Sequence, residues 1–250
     1  GESGLLLPQM REFHYAYAGY QFLENRWIER RWVNRDLHVE DFNLGTELTA
    51  RLGVSPAAFG IENSSTLASV SVGRGLALGG DAFALGHVSA ESRFGYDNRN
   101  AIAHGEAWLI RPVAARHPQT SIAHALLNWG SELDRDRQFF ADGETGLRGY
   151  RLHAFEGDRV AILNLEHRVF IGRELWHVLS PGAAAFVDAG LAGNALRGWG
   201  EVKTDLGVGL RLGLSRAPRN LFRLDVAYAL DPDPRGDRGF VVSFSSGQAF

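Results

Sequence analysis

In the segment DLGVGLRLGLS the large apolar residues recur at every second position. Leu206, Val208, Leu210, Leu212 and Leu214 fall on one side, and Gly207, Gly209, Arg211 and Gly213 on the other. A strand sends successive side chains to opposite faces, whereas a helix would scatter these five around its circumference. The next run, LFRLDVAYAL, sets Phe222, Leu224, Val226, Tyr228 and Leu230 against Arg223, Asp225, Ala227 and Ala229. Earlier, NLGTELTARLGV sets Leu44, Thr46, Leu48, Ala50, Leu52 and Val54 against Gly45, Glu47, Thr49, Arg51 and Gly53. Weaker alternation marks strands near 11–22, 25–38, 66–78, 80–93, 101–113, 119–132, 157–170, 182–191 and 238–249. With the three clear runs this predicts about twelve antiparallel strands.

A soluble β-sandwich also alternates apolar and polar positions. Two features favour a transmembrane antiparallel β-barrel. Runs of ~10 residues or more exceed the usual soluble strand of ~5–6, and the polar face mixes glycine with Arg, Asp and Glu, as a curved wall facing a wet interior requires. The connections agree, alternating between short ones such as Gly79-Gly80 and longer polar ones such as Asp231 to Arg238. No run reaches the ~18–20 apolar residues of a membrane helix, but barrel strands need only alternation.

Composition supports an all-β chain. The 250 residues include 30 glycines, 15 phenylalanines, 6 tryptophans and 6 tyrosines, which suit strands and tight turns better than packed helices. A formal net charge of −3 with no basic run argues against nucleic acid as a partner. The absence of cysteine removes disulfides and thiolate metal sites. Because the chain begins at Gly1 rather than Met and shows no signal-like apolar core, it is expected to be a processed or excised piece, with upstream domains missing from it.

The longest interruption of the rhythm runs over residues 133–156. It begins charged, as LDRDRQ, and continues as FFADGETGLRGYRLHAFEGDR, with aromatics and arginines closely interleaved. A loop of this length in a compact protein carries a function or is disordered more often than it is incidental. On the strand that follows, VAILNLEHRVF, alternation puts Ala161, Leu163, Leu165 and Val169 outward and Asn164, Glu166 and Arg168 inward. On AAAFVDAG it puts Ala185 and Val187 outward and Phe186 and Asp188 inward.

The run GETGLRGY, followed by NLEHRVF and AAFVDAG, resembles the C-terminal barrel of the BamA-type outer-membrane superfamily over about residues 138–250. That superfamily includes outer-membrane protein insertases and transporters of two-partner secretion. The resemblance implies that Arg148, within Arg148-Gly149-Tyr150, sits at the tip of a long loop folded back into the lumen. There it would meet Glu166 and Asp188 on the wall. An arginine confined in a barrel needs anionic partners, and its fork can meet a carboxylate through two parallel bonds. Phe240, Val242, Phe244 and Phe250 of RGFVVSFSSGQAF resemble a last-strand insertion signal.

The implied activity is protein insertion into, or translocation across, a bacterial outer membrane, with outer-membrane lipids and polypeptide substrates as partners. The alternative is a passive anchoring or dimer-forming barrel module for a missing N-terminal domain, for example a hydrolase. Barrels of the superfamily have about sixteen strands. This chain supplies fewer, so it is a smaller closed barrel, a fragment, or a barrel completed by a second copy in a homodimer.

No enzyme is expected. There is no G-x-S-x-G elbow and no nucleophile beside an evident base, so no catalytic residue is assigned. His87, His104 and His124 lie on separate strands without metal-ligand spacing, so neither a metal nor a cofactor is expected. The glycines of Gly73-Arg74-Gly75 and Gly207-Val208-Gly209 lie inside strands, where a phosphate cradle would need a following helix. Arg235-Gly236-Asp237 reads as part of a turn. Trp27, Trp32, Trp108, Trp129, Trp176 and Trp199 lie near strand ends and are expected to form interfacial girdles.

Overall fold

Alternation is realised as strands along nearly the whole chain. The computed structural model describes residues 14–34, 38–59, 64–95, 99–214 and 221–248. Its regular structure is sixteen strands and one short 3-10 turn, Ala57–Phe59. In chain order the strands begin with β1 (Ala16–Leu23), β2 (Trp27–Arg31), β3 (Val39–Asn43), β4 (Glu47–Ser55), β5 (Ser65–Gly79), β6 (Ala82–Phe94), β7 (Ala101–Val113) and β8 (Gln119–Ser131). They continue with β9 (Phe139–Ala141), β10 (Phe155–Gly157), β11 (Arg159–Phe170), β12 (Leu179–Asn194), β13 (Gly198–Trp199), β14 (Lys203–Leu214), β15 (Leu221–Ala229) and β16 (Phe240–Ser246). Among the described residues no helix is long and apolar enough to cross a membrane, which says nothing about crossing by strands.

One antiparallel sheet of twelve strands dominates, in the order β1-β4-β5-β6-β7-β8-β11-β12-β14-β15-β16, with the short β13 attached to β12. Neighbours in the sheet are neighbours in sequence apart from two excursions, residues 24–46 and 132–158. β1 and β16 are its two edges. Among the described residues no ladder joins them and no closed barrel is seen.

The two faces differ in the sense opposite to that of a soluble protein. Leu163, Leu165, Val187, Leu206, Val208 and Leu210 are exposed, Val208 to 61%. On the other side of the same strands Asn164, Glu166, Arg168, Asp188, Asp205, Arg211 and Asp225 are buried. The glycines of the polar face give it room. A β-carbon at Gly207 would lie 2.4 Å from the Phe186 ring and 2.5 Å from the Val226 carbonyl oxygen. Glycine there is a packing requirement of the ring beside it.

The segment 25–38, expected as a wall strand, departs from that expectation. β2 pairs only with β3, forming a separate two-stranded ribbon, while β1 passes over it in sequence to pair with β4. The ribbon packs on the polar face. Val33 and Leu44 are buried against Phe83, Ile110 and Ile122, with Phe42 4.7 Å from the Phe83 ring centre. Its alternation is genuine, but any two-stranded ribbon produces the same period, so the pattern alone could not separate plug from wall.

The ribbon enters from the rim that carries the tight turn at Gly79-Gly80 and the connections 114–118 and 171–178. The excursion 132–158, with 195–202 and 230–239, belongs to the opposite rim. The tryptophans divide as well. Trp27, Trp129, Trp176 and Trp199 are exposed, but Trp27 belongs to the ribbon rather than to the wall. Trp108 instead lies on the polar face, stacked 5.3 Å from His124, and Trp32 is half-buried on the ribbon.

Candidate functional site: a buried arginine and carboxylate cluster

The long loop is built around Asp142. β9 and β10 pair to form its stem. At the top of the stem one Asp142 carboxylate oxygen accepts the backbone N–H groups of Glu144 and Thr145, at 3.0 and 3.1 Å, and the other accepts that of His153, at 2.7 Å. The Asp142 carbonyl accepts from Gly146 and Leu147. An aspartate that captures nearby backbone donors closes a turn without regular structure. Here it shapes GETGLRGY into a compact knot.

The knot rests on the polar face of the sheet. Leu147 and Tyr150 are buried in a cluster with Ala141, Val160, Ile162 and Ala229. Gly149 touches the wall so closely that a β-carbon there would lie 2.5 Å from that of Asp205. The Tyr150 hydroxyl donates toward the carbonyls of Thr204 and Asp231, at 3.0 and 3.1 Å, tying the loop to β14 and to the residues just after β15.

These anchors aim Arg148 at two strands. Its Nε and Nη2 donate to the two carboxylate oxygens of Asp188, each at 2.8 Å, which is the bidentate geometry an arginine fork prefers. Its Nη1 donates to Glu166. The guanidinium also lies 3.4 Å from the centre of the Phe186 ring, a cation–π contact away from water. Burial alone would lower the pKa of Arg148, but the bonds to Asp188 and Glu166 outweigh it and raise it, so the residue stays charged.

The cluster is larger than the three residues singled out by sequence. Glu166 also accepts from Arg168 Nε at 2.7 Å and from Arg211 Nη2 at 3.2 Å. Arg211 in turn donates to Asp225, which Arg223 approaches to 3.2 Å. Asn164 donates to Asp188 at 2.8 Å and to the Gly146 carbonyl at 2.6 Å, so it supports both the acid and the loop. A further chain leads away from Asn164 through His124 to Glu106.

Arg168, Arg211 and Asp225 lie on the predicted polar face. What the linear pattern could not convey is that they share one volume with Arg148. That depends on register, which sets Arg168, Ala184, Gly209 and Asp225 in one row across β11, β12, β14 and β15. The cluster also receives the ribbon. Arg168 Nη1 donates to the Val33 carbonyl at 3.0 Å and to Asn34 Oδ1 at 3.2 Å, the Thr120 hydroxyl donates to the Trp32 carbonyl, and the Gln248 side chain to the Asn34 carbonyl. Glu166 therefore sits between a loop from one rim, held through Arg148, and a ribbon from the other, held through Arg168.

Among the last-strand residues, Phe240, Val242 and Phe244 are exposed on the apolar face, and Phe244 stacks on Phe222 at 6.0 Å. Phe250 lies outside the described residues. No group of three or more His, Asp or Glu side chains among the described residues is placed to hold a metal ion.

Tyr150 offers a direct test of the anchoring. Burial pushes its phenol up from 10.0 to about 12. The folded state thus favours the neutral hydroxyl. The preference is fully present below pH 10 and is lost as pH rises through about 12, because the unfolded chain ionises first. Tyr150→Phe should lower stability by about 1 kcal/mol near neutrality through loss of the hydroxyl's bonds. It should also flatten this alkaline decline, read by comparing denaturation midpoints across pH.

No protein-family model matches this chain, and no curated protein matches it.

Proposed function

We propose that the chain is the β-barrel part of a BamA-like outer-membrane protein, which inserts polypeptides into a bacterial outer membrane or moves them across it. The observation that carries this reading is the reversed sheet: long strands with exposed leucine and valine on one face and a buried ionic cluster on the other. Lipid would cover the first face, and the second would line a lumen. An arginine at the tip of a long loop, seated between carboxylates of the next two wall strands, supports the resemblance to that superfamily.

The open edges fit an interrupted wall. In lipid an unpaired backbone group costs several kcal/mol, so β1 and β16 need upstream strands, a second copy of the chain, or a transient client strand. The role of a passive anchor or dimer-forming module for a further domain has its own support. Loop and ribbon together occupy the polar face, as a plugged barrel requires.

Reconstitution separates these readings. The chain should enter lipid vesicles and resist extraction by alkaline carbonate, and a soluble monomer without detergent would sink the membrane reading. Vesicles containing it should accelerate insertion of an unfolded test barrel protein. Stable integration without acceleration favours the anchor.

A further inference from the structure

The apolar face carries a few polar side chains, Arg74 on β5 among them, and at one place three of them adjoin. Arg111 on β7 lies directly opposite Ser121 on β8, which lies directly opposite His167 on β11, and all three are exposed on the face that carries the leucines and valines. The Ser121 hydroxyl and His167 Nδ1 are 3.0 Å apart. When the hydroxyl donates in this pair, Nε2 carries the ring proton outward. The carboxylates of these three strands, Glu106 and Glu166, belong to the polar face, and Arg111 has no ion-pair partner among the described residues. A cation, a hydroxyl and an imidazole thus stand in a row with no acid beside them.

Their level matters. Arg111 is two residues from the end of β7, Ser121 two from the start of β8, and His167 three from the end of β11. At about 3.3 Å per residue the row lies roughly 7–10 Å along the strands from the rim. A lipid-facing arginine costs ~2–4 kcal/mol at the bilayer midplane but only ~0–1 near the interface, where a phosphate can meet it. Beside the row runs a shallow groove of ≈ 490 Å³, floored by Ala123 and Ala185 beside Leu165. Its floor is apolar, as an acyl chain requires.

We infer that Arg111, Ser121 and His167 bind the phosphate of a membrane phospholipid, with one acyl chain lying in the Ala123–Ala185 groove. The inference rests on the membrane reading above. Charge complementarity selects the ligand, since the row offers donors and positive charge and nothing that repels an anion. Hydrolysis of the lipid by a Ser121–His167 pair is not part of the inference. The next position beyond His167 in the row is Ala185, so no acid on that side orients the ring.

The test uses the whole chain purified in a non-ionic detergent, with lipid retention measured by native mass spectrometry. The probes are phosphatidylglycerol, the diacylglycerol with the same chains, and inorganic phosphate. Wild-type protein should retain phosphatidylglycerol roughly tenfold more tightly than the double variant Arg111→Gln/His167→Gln. It should retain the diacylglycerol poorly, and inorganic phosphate should not displace the lipid. Equal retention by the double variant, equal retention of the diacylglycerol, or displacement by inorganic phosphate would overturn the inference. Vesicle partitioning of the same preparations separates the premises. If wild-type protein enters vesicles but shows no preference, this inference alone fails, whereas if it stays in the aqueous phase the membrane reading fails with it.

Discussion

Arg148→Ala is expected to lower the stability of the folded chain by about 3–5 kcal/mol, the usual range for removing one partner of a buried ion pair. Asp188 would lose its bidentate partner and Glu166 one of its three guanidinium donors, and all of these groups are buried. The penalty comes mainly from the acids left behind rather than from the attraction that is lost. Arg148→Lys should recover only part of it. An ammonium keeps the charge but cannot offer parallel bonds to both Asp188 oxygens or lie flat over the Phe186 ring. Replacing arginine and acids together, as Arg148→Met with Asp188→Asn, should cost less than the sum of the single changes, because the two sites share one network. Denaturation midpoints of folded protein in detergent measure all three. A change of less than about 1 kcal/mol for Arg148→Ala would mean that water or a neighbouring side chain reaches the acids, and the loop would then be held by Leu147 and Tyr150 alone.

Alternation carried most of the fold, because strand geometry has a period that a helix cannot imitate. It also placed Glu166 and Asp188 on the same face as the later arginines, and those two acids are the direct partners of Arg148. The limit of the pattern is clearest at residues 25–38. A ribbon lying on a sheet and a strand lying within it share the same period, and the information that separates them is in the partner. β1 presents Ala16, Ala18, Tyr20 and Phe22 to the apolar positions Val54, Leu52, Ala50 and Leu48 of β4, which leaves β2 no place in the wall. Trp108 shows a related limit, since its side chain stacks on His124 on the polar face. By alternation Arg168 is simply one more inward charge. Its bond to the Val33 carbonyl joins residues separated by 135 positions, a distance over which a local pattern carries no information.

Glu166→Gln should have an effect as large as the loss of Arg148 but of different reach. The carboxylate accepts from Arg148, Arg168 and Arg211, and glutamine would leave these three guanidiniums with Asp188 and Asp225 as their nearest anions. A buried excess of positive charge costs about 3–5 kcal/mol. Arg148 contacts the wall from the loop, while Arg168 holds the ribbon tip at Val33 and Asn34. Glu166 is the acid common to both. Hydrogen exchange should therefore distinguish the two variants: Arg148→Ala should raise exchange mainly within 142–154, and Glu166→Gln should raise it both there and within 27–43. Such a result would mean that the two segments entering from opposite rims are energetically coupled through one side chain. A client displacing the loop would then loosen the ribbon as well, which a passive anchor has no need to do. Unchanged exchange in 27–43 on Glu166→Gln would show that Val33 and Leu44 hold the ribbon by packing alone, and the coupling through Glu166 would be ruled out.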